Sequence, residues 1–265
     1  MGHYTCMGND ENNQSWQSGL LQIMLSAGDR LVQLWQQEKD LLDIQAKHDG
    51  TFVSLADYES NKLIIDWLIN NCPNDSIFSE ESIPDFEAIH SADRTWIIDP
   101  LDGTGSFLQG KDDFSILVAL CERLRPVYGA MLFPARDKLI VGGAGVPATS
   151  NGAAIQVSRA TSLRAKRVYI RNWESVDDKI TAPPMDSGAA LCAVAEGELD
   201  GAIIKMTTHR DWDVGAPTAI ITAAGGTVTT GAGDVVPFGN LVPPYEFFVA
   251  SNGFIHDQLL ALISR

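Results

Sequence analysis

Helices that flank sheets in mixed order predict a layered α/β or α+β sandwich for this chain of 265 residues. Three observations carry that class. Two segments near the N-terminus repeat apolar residues at helical spacing, a series of short apolar runs bounded by Gly, Pro or charged residues reads as strands, and further helical segments alternate with the later runs. With 45% hydrophobic and 20% charged residues, the composition is that of a globular protein able to bury a core. Compact cores stop growing at roughly 250 to 300 residues, so the length predicts two lobes sharing a cleft. The expected division is a loose polar, Asn-rich tail over 1–15, an N-terminal α+β lobe over 16–150 and a C-terminal α/β lobe over 151–265.

Taken in order, Leu20, Ile23, Ala27, Leu31 and Leu34 set one apolar stripe on a helix that starts at Trp16 and ends near Lys39. A second helix runs from Ser54 to Asn71, where Pro73 forbids continuation. Strands are expected over 76–78, 95–98, 115–121, 127–133, 138–141 and 168–171. Helices follow over 187–196 and over 213–224, the latter closed by Gly225 and Gly226. Strands over 227–230 and 247–250 precede a last short helix from His256.

Acidic residues outnumber basic ones by 34 to 19, a formal net charge of −15, and no Lys/Arg-rich run interrupts the excess. A nucleic-acid polymer is therefore excluded as partner, whereas a small anionic substrate is accommodated where local cations reverse the field. The four cysteines, Cys6, Cys72, Cys121 and Cys192, form no CxxC pair, so neither a zinc site nor a disulfide framework is expected, and a reducing cytoplasm fits. No apolar run approaches the ~20 residues that span a bilayer and no signal peptide opens the chain, which predicts a protein without membrane contact.

The densest chemical feature is Trp96-Ile97-Ile98-Asp99-Pro100-Leu101-Asp102-Gly103-Thr104, an apolar strand ending in two carboxylates, a glycine and a hydroxyl. Pro100 stiffens the turn between Asp99 and Asp102 so that both can converge on cations, and Gly103 lets the backbone approach an anion. Glu80 and Glu81 follow the apolar Ile77-Phe78, and Asp211-Trp212-Asp213 places carboxylates at a helix start, where the dipole stabilises negative charge. Glu80, Asp99, Asp102 and Asp213 are oxygen ligands with no imidazole or thiolate cluster beside them, a set that selects Mg²⁺ or Mn²⁺ over zinc. Each alone is more often a solvated acid or a helix cap; the metal reading requires them to meet in one cleft. Two apparent motifs fail. Gly105 to Lys111 matches the start of a P-loop but continues with Asp112 instead of a hydroxyl residue, and His209-Arg210-Asp211 lacks the asparagine of a kinase catalytic loop.

The ordered set formed by Lys47-His48-Asp49-Gly50-Thr51-Phe52-Val53-Ser54-Leu55-Ala56-Asp57, Ser79-Glu80-Glu81-Ser82, Asp99-Pro100-Leu101-Asp102-Gly103-Thr104, Trp212-Asp213 and Ala223-Ala224-Gly225-Gly226 resembles the lithium-sensitive, magnesium-dependent phosphomonoesterases of the inositol monophosphatase superfamily. The resemblance implies an α-β-α-β-α sandwich of the sugar-phosphatase type and hydrolysis of a small phosphate monoester. It implies one Mg²⁺ on Glu80, Asp99 and the Leu101 carbonyl, a second on Asp99, Asp102 and Asp213, and a weaker third helped by Asp49. It further implies that Thr104 and Asp57 orient and activate the attacking water, that Glu80 belongs to the catalytic set, and that the N–H groups of Gly103 and Thr104 grip the phosphate. Dimers are common in such proteins, which makes a homodimer an expectation.

Substrate choice lies outside the shared set. Several inositol-specific members carry a Glu seven positions before the Trp-Asp aspartate; here that position is Met206. Lys205, His209, Arg210 and Arg171 are instead candidates to meet a second phosphate or a nucleotide, with Lys205 and Arg210 first. The segment 107–114 and Asp211-Trp212-Asp213 resemble the 3′(2′),5′-bisphosphate nucleotidase branch, which makes that nucleotide the first substrate expectation and inositol 1-phosphate or another polyol, sugar or histidinol phosphate the second. The short stretch 158–187, with Pro183-Pro184, is expected to reshape the leaving-group pocket. A non-catalytic scaffold is the remaining alternative; so many like charges kept together argue against it.

Overall fold

A computed structural model describes residues 10–37, 43–46, 52–173 and 180–264. The chain runs α1 (Asp10–Trp35), β1 (Gln45–Ala46), β2 (Phe52–Val53), α2 (Leu55–Asn71), β3 (Ser76–Ser79), α3 (Phe86–Ser91), β4 (Arg94–Asp102), α4 (Thr104–Leu108), β5 (Ser115–Glu122), β6 (Arg125–Phe133), β7 (Lys138–Gly143), β8 (Val146–Ser150) and β9 (Ala153–Ala154). It continues through β10 (Val168–Arg171), α5 (Ser187–Ala195), β11 (Gly201–Lys205), α6 (Asp211–Ala223), β12 (Thr227–Thr230), β13 (Phe247–Ser251) and α7 (His256–Ile263). Helix α1 begins six residues before the expected start at Trp16, so part of the polar segment assigned to a tail is helical; a helical backbone does not require an apolar face in its first turns.

Strands β3 to β9 form a seven-stranded sheet in chain order, parallel between β3 and β4 and antiparallel elsewhere. A four-stranded sheet has the order β10-β11-β13-β12, with β10 and β11 parallel. Period-two alternation assigns each strand face to a layer. Trp96 and Ile98 of β4, with Ile116, Val118 and Leu120 of β5, pack against Leu20, Met24 and Leu31 of α1 and Ile64 and Leu68 of α2. The intervening Ile97, Leu117 and Ala119 face α5 and α6, which in turn meet Ala202 and Ile204 of β11 and Phe248 and Ala250 of β13. The other face of the smaller sheet, Ile203, Phe247 and Val249, is covered by Leu259 and Leu262 of α7. Five layers result, helices, sheet, helices, sheet, helix, as the sequence class predicts.

Among the described residues no helix is long and apolar enough to cross a membrane. Cys121 and Cys192 are buried free thiols, but Cys72, which caps the end of α2, is disulfide-bonded. That departs from the expectation of no disulfide: scattered spacing in sequence says nothing about which sulfurs the fold brings within bonding reach.

Candidate active site

The site begins with an irregularity in β4. Asp99 pairs with Leu117 of β5, then the register slips before Asp102 meets Ser115. Pro100 has no N–H to give the ladder, so a bulge forms where it stands. The Pro100 carbonyl accepts from Ser60 Oγ of α2 at 2.7 Å, and Leu101 N–H donates back to Asp99 Oδ1 at 3.0 Å. Gly103 then turns the chain into α4 with φ +81°, in the left-handed region that glycine occupies without strain.

Three further elements close on this bulge. Glu80 follows β3, whose parallel pairing with β4 sets its backbone beside Ile98, its N–H donating to the Ile98 carbonyl at 3.1 Å. Helix α6 presents Asp213 in its first turn, where Oδ2 accepts from Arg210 N–H at 2.5 Å. Helix α2 presents Asp57 through a capping box: Oδ2 accepts from Ser54 N–H at 2.7 Å and Ser54 Oγ at 2.8 Å, leaving Oδ1 for Thr104, whose hydroxyl lies 3.0 Å away. The Thr104 hydroxyl is also 3.1 Å from the Leu101 carbonyl, so one proton has two acceptors.

Carboxylate oxygens of Asp99, Asp102 and Asp213 lie within 4.8 Å of one another. Burial, then the charges of Glu80, Asp102 and Asp213, holds the Asp99 carboxyl well above its usual range. Burial followed by Asp186 and Asp213 does the same to Asp102, and burial followed by Glu80 raises Asp213 to about 8. Asp57 is pushed up to about 6, chiefly by burial. No described Lys or Arg forms an ion pair with Asp99, Asp102 or Asp213; the Arg210 guanidinium donates instead to the carbonyls of Thr207 and His209. Buried oxygens that repel one another and have no ion-pair partner among the described residues fit a hard divalent cation.

The cluster floors a cleft of about 490 Å³ whose walls are Gly103 to Ser106, Gln109, Lys111 and Asp113 on one side and Arg171, Pro184 to Ser187 and Thr208 to Arg210 on the other. Of the sequence candidates, Glu80, Asp99, Leu101, Asp102, Gly103, Thr104, Arg210 and Asp213 line it, and Asp57 joins through Thr104. Lys205 does not. It shares with Ile203 the β11 face turned to α7, where it pairs with Glu246 at 3.1 Å and lies 5.7 Å over the Phe247 ring, so parity along the strand removes it from the substrate-binding set. Asp49 lies outside the described residues. Sequence reasoning missed Asp113, Asp186 and Ser187. Asp186 caps α5, its Oδ1 accepting from Gly188 N–H at 3.2 Å and its own N–H donating to Asp113 Oδ2 at 3.0 Å. An Asp-Ser-Gly before an apolar run signals a helix start and gives no hint that its carboxyl meets Asp102.

Convergent acidic ligands beside a carboxylate-held hydroxyl, at the mouth of a layered sandwich, define a metal-dependent hydrolase. Residues 12–265 match the model of the inositol monophosphatase family, and the chain belongs to that family of phosphoric monoester hydrolases. It is 30% identical over 239 residues to the fructose-1,6-bisphosphatase/inositol-1-monophosphatase of Aquifex aeolicus, covering 84% of this chain and 86% of the relative. A 3′(2′),5′-bisphosphate nucleotidase CysQ from Buchnera aphidicola is 28% identical over 247 residues, covering 84% and 89%. Among solved structures, an IMPase from Thermotoga maritima superposes with a TM-score of 0.81 at 26% identity, covering 95% of this chain and 97% of that one.

Proposed function

We propose that the protein hydrolyses a small phosphate monoester with Mg²⁺, and that its substrate is a 3′(2′),5′-bisphosphate nucleotide from which it removes the ester phosphate at the ribose ring. The observation that carries the substrate choice is the pair Arg171 and Arg210 on the cleft wall beyond the acidic floor, with Lys111 opposite. In a chain of net charge −15, cations gathered at the mouth of a cleft mark where a second anionic group of the substrate rests. Kinship with a named nucleotidase supports the same choice.

Glu80, Asp99, the Leu101 carbonyl, Asp102 and Asp213 are the groups that hold the ions. Divalent cations bound there supply positive charge for the oxygens that gain negative charge as phosphorus changes partners. The chain contributes position and proton transfer. Asp57, fixed by Ser54, takes the Thr104 proton along the 3.0 Å contact, which frees the Thr104 oxygen to accept a proton from the attacking water. The N–H groups of Gly103 and Thr104, at the open start of α4, hold the phosphate. Release of phosphate from adenosine 3′,5′-bisphosphate, inositol 1-phosphate, fructose 1,6-bisphosphate and histidinol phosphate, each with Mg²⁺ and with EDTA, tests this reading. The nucleotide is expected to give the highest kcat/KM, lost in EDTA; a preference for inositol 1-phosphate or histidinol phosphate, neither of which carries a second phosphate, would overturn the role given to the arginines.

A further inference from the structure

Asp211, the first residue of the Asp211-Trp212-Asp213 run, is fully buried and does not line the cleft. Its Oδ2 accepts two backbone hydrogen bonds from a segment distant in sequence, one from Gly239 N–H at 2.6 Å and one from Asn240 N–H at 3.0 Å. Its Oδ1 is buried with no hydrogen-bond partner among the described residues, so all the side chain's bonding goes to that segment. A carboxylate at a helix start ordinarily caps the helix's own N–H groups. This one leaves its helix and fastens it to a loop.

The loop is itself firmly seated. Phe238 belongs to the core, and Gly239 has φ +91°, with so little room that a Cβ would lie 2.7 Å from Leu124 Cδ1 and 3.4 Å from His90 Nε2. Asp211 therefore ties the start of α6 to a point backed by α3 and by the turn between β5 and β6.

The first turn of α6 depends on such ties. Pro217 has no N–H to give to the Asp213 carbonyl, so the helical hydrogen bond that would close the turn at Asp213 is missing. Asp213 Oδ2 accepts from Arg210 N–H, but that bond stays within the turn. Two side chains reach outside it: Asp211 to the loop, and Trp212, whose ring stands edge-on to Phe78 of β3 with centroids 5.4 Å apart. Trp212 sets α6 against the strand that leads to Glu80, and Asp211 holds it from the side of the loop.

We infer, on the reading that the acidic cluster holds divalent cations, that Asp211 is a positioning residue. By anchoring the start of α6 to the backbone of 239–240 it fixes where Asp213 stands relative to Asp99 and Asp102, and it raises cation affinity without touching cation or substrate. A side chain that only stapled the loop would leave that affinity unmoved.

Calorimetric titration of the metal-free full chain with Mn²⁺ tests this. Asp211→Ala should weaken Mn²⁺ binding by at least about 10-fold, the lower end of what groups that orient metal ligands contribute. Asp211→Asn loses the same charge but keeps an oxygen for the two N–H groups, so it should bind Mn²⁺ more tightly than Asp211→Ala. Gly239→Ala keeps the charge and displaces the donors, and should weaken binding as well. Parental affinity in Asp211→Ala overturns the inference, and so do equal losses in Asp211→Ala and Asp211→Asn, because charge alone would then account for the effect. Where Asp211→Ala does not fold, parental affinity in Gly239→Ala overturns it. Asp213→Asn separates the underlying reading: Mn²⁺ binding absent from the parent, or undiminished in Asp213→Asn, overturns the cation reading and the role of Asp211 with it. Binding that falls in Asp213→Asn and holds in Asp211→Ala overturns the role of Asp211 alone.

Discussion

Asp213 is held at the start of α6 by the Arg210 N–H and its carboxylate lies within 4.8 Å of those of Asp99 and Asp102, without an ion-pair partner. Asp213→Asn keeps the shape and removes one charge. Turnover should fall by at least about 100-fold, beyond what loss of a supporting group around a metal costs, while the metal-free protein becomes no less stable, since a buried repulsion has been relieved. Thermal melts in EDTA and in Mg²⁺ check both halves: the melting temperature of the variant should match or exceed the parent in EDTA and rise less on adding Mg²⁺. Near-normal turnover at saturating Mg²⁺ would sink the assignment. At this scale Glu80, Asp99 and Asp102 were readable as candidate ligands from their residue types at the ends of apolar runs, and Asp57 and Thr104 through the family resemblance that the ordered motifs carry. Asp186 was illegible because its contact with Asp102 arises where the start of α5 meets the end of β4 and the start of β5, a long-range approach that no local pattern encodes.

Helix α2 shows how one element serves stability and chemistry together. Ser54 Oγ accepts from Ala56 N–H at 3.2 Å, and the same residue gives two hydrogen bonds to Asp57 Oδ2. Ser54→Ala should cost about 1 kcal/mol of stability, as loss of an N-cap does, and reduce kcat more than that cost predicts, because Asp57 loses a donor that fixes it toward Thr104. Urea unfolding and steady-state rates on one preparation separate the effects; an unchanged kcat would mean that Thr104 alone orients Asp57. Elements made of β-branched or continuous apolar runs bounded by Gly, Asp or Pro were readable, with β10 and β12 matching the expected ranges and α5 ending within a residue of its own. Strands β8 and β11 were not. Val146–Ser150 contains a proline and polar residues suited to a strand near a sheet edge, and Gly201–Lys205 is a five-residue run whose identity as a strand comes from its neighbours β10 and β13. Missing β11 also concealed the parity that turns Lys205 away from the cleft.

For the molecule as a whole, the buried carboxylates set how stability answers to pH and to metal. A carboxyl whose folded value is raised above the ordinary 3.8 stays protonated in the native state while the unfolded chain has already released its proton, so the fold loses stability as pH rises between the two values. Asp57 and Asp211, both about 6, act in the lower part of that range, and Asp213, about 8, acts through neutrality together with Asp99 and Asp102, which are also raised. His209 opposes them below neutrality: burial lowers it from 6.5 to about 4, so its contribution is present above 6.5 and lost as pH falls toward 4. The two effects compete between pH 4 and 6.5 and the carboxylates act alone above it. In EDTA the melting temperature should therefore decline from pH 6.5 to 8, at about 1.4 kcal/mol per pH unit for each proton the native state holds in excess. Divalent cations compete with those protons, so Mg²⁺ should flatten the decline and raise the melting temperature more at pH 8 than at pH 6.5. The net charge of −15 would also disfavour compactness as pH rises, but that repulsion is spread over the surface and is screened at about 1 M salt. A decline that persists in high salt and yields to Mg²⁺ locates its origin in the buried cluster; one abolished by salt alone would show that the cluster is not what couples this fold to protons and metal.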